Sequence, residues 1–257
     1  MTSSLNDASP LNAVGYLAPE GFEHYVRDEV GEIEAEYGRL ILGRGQQKPS
    51  WWSQNIWLAP KRIGISSISD GVRKLKGIQR NWVLFPYGEE LGRAKLIQAD
   101  LPHVSAKPIN FPSAVPTSPL GSWLLLDRDT ILASAACTSP YPNGEVKFVE
   151  KYIGPPSRAY LKLWEALTVI GKRPASGESC LDCGSSPGGW TWVLAELGCQ
   201  VDSIDRAPLS EDLMKHPLVH HKTGDCFSIR PGEGTKKYEW IFWDVACYPE
   251  KLLEWVL

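Results

Sequence analysis

The sequence predicts an α/β protein in which a doubly wound parallel sheet, over residues 151–257, follows a smaller α+β domain over residues 1–150. Three observations carry this expectation. From Ser179 onward short apolar runs alternate with helical stretches, the pattern of a βαβ unit. Within that text, Leu181-Asp182-Cys183-Gly184-Ser185-Ser186-Pro187-Gly188-Gly189-Trp190 sets a glycine-rich turn between a strand and a helix. Upstream, a proline-rich stretch and a second punctuated segment from Pro140 to Pro156 separate this half from one built of short strands, which places the domain boundary in the second segment.

Taken in order, Ala13 to Leu17 reads as a strand and Phe22 to Tyr37 as an amphipathic helix, with Pro19 and Gly21 turning between them. Ile41-Leu42, Ile56 to Leu58 and Trp82 to Phe85 read as short strands. Trp123 to Leu126 and Thr130 to Ala133 read as a hairpin that turns at Asp127-Arg128-Asp129. Pro102, Pro108, Pro112, Pro116 and Pro119 forbid regular helix and disfavour a central strand, so an extended loop is expected between Leu101 and Pro119. A helix is expected from Ser157 through Ile170. The βαβ text then gives a strand at Cys180 to Asp182, a loop at Gly184 to Gly189, a helix at Trp190 to Leu197 and a strand at Gln200 to Ile204. His220 to Lys222 and Trp240 to Trp243 read as two further strands, and Pro249 to Val256 as a closing helix.

With 257 residues of which 43% are hydrophobic, the chain can bury a real core. Its net charge of -3 argues against a protein that coats nucleic acid through bulk charge, but leaves room for a local basic face. The best candidate for such a face is Arg73 to Arg80, followed by Trp82; the alternative is a solvated face beside a core tryptophan. Trp51-Trp52 and Trp57 are candidates for stacking on bases, although core packing is the commoner use for most of the eleven tryptophans. The six cysteines lie scattered in apolar runs without disulfide spacing, which points to reduced thiols and a cytoplasmic protein. Cys180 and Cys183 have no second pair at ligand spacing, so no metal site is expected. Met1 to Pro10 lacks a basic start and an apolar core and does not read as a secretory signal. No stretch approaches the ~20 apolar residues of a membrane span.

A strand that ends in an acidic residue, then a glycine-rich turn, then a helix brings backbone N–H groups close to a ligand at the mouth of a sheet. The glycines fall at Gly184, Gly188 and Gly189, which is not the G-x-G-x-x-G of dinucleotide sites. A nucleoside without a pyrophosphate fits better than NAD, and a nicotinamide-dependent oxidoreductase is disfavoured. Asp205, twenty-three residues beyond Asp182 at the end of the second strand, can accept hydrogen bonds from ribose hydroxyls. Asp225 follows the third strand and can sit at an adenine edge. Either carboxylate can instead cap the turn after it.

At these residues the sequence resembles a known family. Asp182 to Thr191 is similar to the first motif of the FtsJ/RlmM group of ribosomal RNA 2′-O-ribose methyltransferases, and the likeness to the RlmM branch continues through Val201 to Asp205 with Ala207-Pro208-Leu209, Asp225 to Pro231, and Trp240 to Val245. Tyr16 to Glu23 is a weaker echo of that branch's N-terminal region, which implies a shortened THUMP-like, RNA-binding module. The resemblance implies a Rossmann-like domain that holds S-adenosylmethionine with Asp182, Gly184, Ser185, Ser186, Pro187, Gly188, Gly189, Trp190, Asp205 and Asp225. It implies ribosomal RNA, in particular 23S rRNA, as the partner. The group uses a Lys-Asp-Lys-Glu tetrad, whose first two members are implied to be Lys162, in Ser157-Arg158-Ala159-Tyr160-Leu161-Lys162-Leu163, and Asp244. The chain ends thirteen residues after Asp244, where the family carries its later lysine and glutamate on further strands. Lys251 and Glu254 lie too close to Asp244 for those roles and read as helix-surface residues. The expectation is a fragment or a chain that needs a partner; the alternative function is a truncated or degenerate homologue that binds cofactor or RNA without methyl transfer.

Overall fold

The structure, a computed structural model, describes residues 8–229 and 237–256, so the readings of Met1 to Asp7 and of Arg230-Pro231 lie outside the described residues. The chain forms two compact units, one of Met1–Pro108 with Pro116–Lys147 and the other of Ile109–Val115 with Phe148–Leu257.

The first unit is built from β1 (Ala8–Pro10), β2 (Ala13–Leu17), α1 (Glu23–Val30), β3 (Ile33–Tyr37), β4 (Leu40–Arg44), β5 (Asn55–Trp57), β6 (Lys61–Gly64), α2 (Ile68–Ile78), β7 (Trp82–Leu84), α3 (Leu91–Asp100), β8 (Gly121–Asp127) and β9 (Thr130–Ser134). It holds two sheets, ordered β3-β4-β2-β5 and β1-β6-β9-β8-β7. Leu17, Leu40, Leu42 and Trp57 from the first sheet share one buried cluster with Phe85, Leu124 and Leu132. The hairpin at Asp127 to Asp129 and the extended stretch between Leu101 and Pro119 are present as the sequence predicts.

The helix expected from Phe22 to Tyr37 is corrected: it ends at Val30, and Ile33–Tyr37 is a strand. Gly31, at φ 76°, closes the helix by donating its N–H to Arg27 O at 3.0 Å. Beyond it Ala35 and Tyr37 alternate with exposed Glu34 and Glu36, a period of two that suits a sheet edge. Helix α2 was not expected. It starts at Ser67, whose side chain accepts from Asp70 N–H, and it buries Gly71, Val72 and Leu75. Trp82 is therefore no stacking surface: it is fully buried, and its indole N–H reaches the carbonyls of Leu75 (2.9 Å) and Gln79 (3.0 Å). Trp57 is buried as well, whereas Trp51 is 90% exposed.

The second unit runs α4 (Tyr160–Ile170), β10 (Ser179–Cys183), α5 (Gly189–Glu196), β11 (Gln200–Asp205), α6 (Glu211–Met214), β12 (Val219–Thr223), β13 (Trp240–Trp243) and α7 (Pro249–Val256). Its sheet is ordered β12-β11-β10-β13 and is parallel throughout. Period-two alternation gives the sheet two buried faces. Cys180, Val201 and Phe242 pack against Leu163, Leu167 and Val193 of α4 and α5. Leu181, Cys183 and Ile204 pack against Cys226, Ile229 and Trp243 on the other side, where Trp255 of α7 lies 4.7 Å from the Trp243 ring. The segment Ile109–Val115 joins this unit through Phe111, which stacks on Trp164 at 5.0 Å. The chain leaves β10 toward β11 and β12, then returns to β13 on the other flank of β10. Ligands of open α/β sheets bind at such a reversal, beyond the strands' C-terminal ends.

Candidate active site

The glycine loop sits at that reversal, and each glycine in it answers a close approach. Gly184 has φ 78°, and a Cβ there would lie 2.8 Å from the Asp244 carbonyl oxygen and 2.9 Å from Val245 Cγ2. Gly188 has φ 114°, and its Cβ would fall 2.3 Å from Leu213 Cδ1. Gly189 opens α5 against the start of α4, where a Cβ would meet Ser157 Oγ at 2.7 Å. The loop thus threads between the end of β13, helix α6 and the first turn of α4 with no room for side chains.

Asp205, half-buried at the end of β11, ties this loop to the next one. Its Oδ2 accepts from Ser186 N–H at 3.0 Å and its Oδ1 from Ala207 N–H at 2.9 Å, while the Ser186 hydroxyl donates to Pro208 O at 2.8 Å. Each carboxylate oxygen keeps a lone pair for a further donor. Behind the loop, Asp182 is fully buried and its Oδ2 accepts from Thr191 Oγ1 at 2.6 Å. Burial pushes its carboxyl up to about 7, against the pull of the Thr191 hydroxyl and with help from the nearby Asp244 charge. Asp182 Oδ1 and the buried Ser185 hydroxyl have no hydrogen-bond partner among the described residues. An orphaned buried polar atom costs about 1–3 kcal/mol, and two of them beside one glycine loop mark a place where a ligand or water completes the bonding.

Lys162 and Asp244, eighty-two residues apart in the chain, meet at the same mouth, with Lys162 Nζ 3.4 Å from Asp244 Oδ2. Their side chains are 66% and 40% exposed, so the pair contributes at most about 1 kcal/mol to folding and acts to orient the amine. Asp244 is placed by its own N–H, which donates to Cys183 O at 3.0 Å, and Lys162 by the first turn of α4. The arrangement offers a tightly packed glycine loop, a carboxylate suited to sugar hydroxyls, and an oriented lysine beside it.

Residues 155–252 match the family model described as FtsJ-like methyltransferase. A protein of Halorhodospira halophila named ribosomal RNA large subunit methyltransferase M is 42% identical over 98 residues, which are 37% of this chain and 28% of that protein. One of the same name from Alkalilimnicola ehrlichii is 34% identical over 138 residues, 51% of this chain and 37% of that protein. A third, from an Azoarcus species, is 29% identical over 274 residues, 94% of this chain and 69% of that protein. The chain therefore covers less than half the length of the first two relatives.

Within the FtsJ-like unit, Lys162, Asp244, Asp205 and the loop from Gly184 to Trp190 gather at one end of the sheet. Asp225 lies beyond β12, where it caps a 3-10 turn by accepting from Phe227 N–H at 3.0 Å. The Arg206 guanidinium, hydrogen-bonded to Asp225, holds its carboxyl below the usual range. Lys251 and Glu254 are exposed on α7, with the Lys251 ammonium 4.0 Å above the Phe227 ring. Three side chains at the site were absent from the sequence reading of its chemistry: Thr191, Arg206 and Ser157. Thr191 and Ser157 left a signal, as the end of the Asp182 to Thr191 motif and the opening of the Ser157 to Leu163 motif; Arg206 left none. Among the described residues, no group of three or more His, Cys, Asp or Glu side chains is placed to hold a metal ion.

Proposed function

We propose that the FtsJ-like unit binds S-adenosylmethionine and directs its methyl group to a ribose 2′-hydroxyl of large-subunit, 23S ribosomal RNA, in the cytoplasm. The observation that carries this reading is the Lys162–Asp244 pair held beside the glycine loop. The residues present suit the cofactor: Ser185, in the glycine loop, offers an unpartnered buried hydroxyl, and Asp205 at the loop's edge keeps lone pairs for ribose hydroxyls. Ser186, Pro187 and the backbone at Trp190 complete the loop wall, Asp225 takes the adenine edge, and Asp182 supports the loop from behind. When bound, the cofactor supplies an electrophilic methyl group on a sulfonium.

A sugar hydroxyl is a poor nucleophile and must lose its proton as it attacks. In this reading Lys162 Nζ faces the hydroxyl and takes part in moving that proton, and Asp244 fixes the amine's direction. Residues 151–257 carry the cofactor and the chemistry, and residues 1–150 contact the RNA. The names of the relatives support the substrate, and the ion pair supports the mechanism.

The test is transfer of a radiolabelled methyl group to unmodified large-subunit ribosomal RNA by the wild type, Lys162→Ala and Asp244→Ala. Loss of a general acid–base group costs about 10²–10⁴-fold, so both variants should label at no more than about one hundredth of the wild-type rate. Equal labelling by all three proteins would remove both residues from the mechanism. Cofactor binding without labelling by the wild type would instead favour binding without transfer.

A further inference from the structure

Trp190 touches both elements that carry the catalytic pair. Its indole N–H donates to Ala159 O at 3.0 Å, and Ala159 is the residue that begins α4. The same carbonyl accepts from the backbone N–H of Lys162 at 3.1 Å, so the indole and the lysine's own amide share one acceptor. On its other side the Trp190 ring stands edge-on to Phe242, at 6.4 Å between centroids and 84° between planes. Phe242 is buried on β13, two residues before Asp244. One half-buried side chain, the second residue of α5, thus fixes the first turn beneath Lys162 and braces the strand end that presents Asp244.

The local design fits this use. Without a side chain at Gly189, α5 comes close enough to the start of α4 for the indole to reach a backbone carbonyl there. The only polar atom of Trp190's side chain is spent on that carbonyl, which leaves it no hydrogen bond to give a ligand. From these contacts we infer that Trp190 is a positioning residue for Lys162 and Asp244, rather than a cofactor contact through its side chain. It links occupancy of the glycine loop to the placement of the amine. This inference rests on the proposed methyl-transfer reading for its catalytic consequence, but the placement itself does not.

The test compares Trp190→Phe, which keeps the ring against Phe242 and removes the donor, with Trp190→Ala, which removes both. Three readouts are taken on the full chain: amide hydrogen exchange at Lys162, S-adenosylmethionine affinity by calorimetry, and methyl transfer to ribosomal RNA. Trp190→Phe is expected to speed exchange of the Lys162 amide about tenfold, the loss of one hydrogen bond of about 1.4 kcal/mol, and to change cofactor affinity less than about twofold. It is expected to lower kcat about tenfold with little change in KM, and Trp190→Ala to lower it further. Unchanged exchange at Lys162 in both variants would overturn the inference. So would a loss of cofactor affinity above about tenfold in Trp190→Phe, because it would make the indole a ligand contact. If the wild type neither binds the cofactor nor labels RNA, the functional proposal fails while the exchange readout still decides the placement.

Discussion

At the scale of single residues, Asp182 shows why the site is costly to build. Its carboxyl is fully buried and pushed up to about 7, so the folded chain binds this proton more tightly than the unfolded chain does. The stability from that proton is complete below the ordinary carboxylate range and is lost as the pH rises through about 7. A rise of that size corresponds to about 4 kcal/mol. Asp182→Asn should therefore gain on the wild type by a few kcal/mol between pH 4 and pH 8, measured as the difference in urea unfolding free energy; a difference independent of pH would contradict the burial argument. Asp182 was legible in the sequence as the acid that ends a strand. Its burial and its bond to Thr191 were not, because they depend on which face of α5 meets the sheet. Lys162 is the converse case: spacing in the chain carries no signal for a partner eighty-two residues away, and only the motif resemblance pointed to it.

At the scale of elements, the parallel sheet was readable because its strands are short apolar runs between turn residues, and β2, β13 and α7 fall on the boundaries expected for them. Elements with weaker patterns escaped. Strand β6 (Lys61–Gly64) buries only Ile63, so its four residues look polar, and β3 was absorbed into a helix because Gly31 alone marks the break. The signature of α2 was present at Ser67 and Asp70, but the basic residues that follow drew a surface reading instead. The glycine loop makes a sharper claim. Gly188→Ala sets a side chain at φ 114° and within 2.3 Å of Leu213, which should lower the unfolding free energy by about 1–3 kcal/mol and displace α6. Gly64→Ala, where a Cβ meets nothing within 4 Å, is the matched control and should change stability by less than about 0.5 kcal/mol. Equal thermal midpoints for the two variants would show that the loop is not packed as described.

At the scale of the whole molecule, each unit carries its own buried clusters, and the extended stretch between Leu101 and Pro119 contributes Ile109–Val115 to the second unit. The proline spacing predicted a stretch without regular structure, yet it held no hint that Phe111 would dock on Trp164, since ring contacts across fifty residues leave no local pattern. The net charge of -3 sets no strong field for nucleic acid, so the proposed contact with RNA would come from local surfaces rather than from bulk attraction. Among the described residues, no helix is long and apolar enough to cross a membrane. The central claim is that the mouth of the parallel sheet is an S-adenosylmethionine site. Isothermal titration of the chain with S-adenosylmethionine tests it most directly. Saturable binding that is weakened about tenfold or more in Asp205→Ala is the expected result, and the absence of saturation at millimolar cofactor would contradict the account.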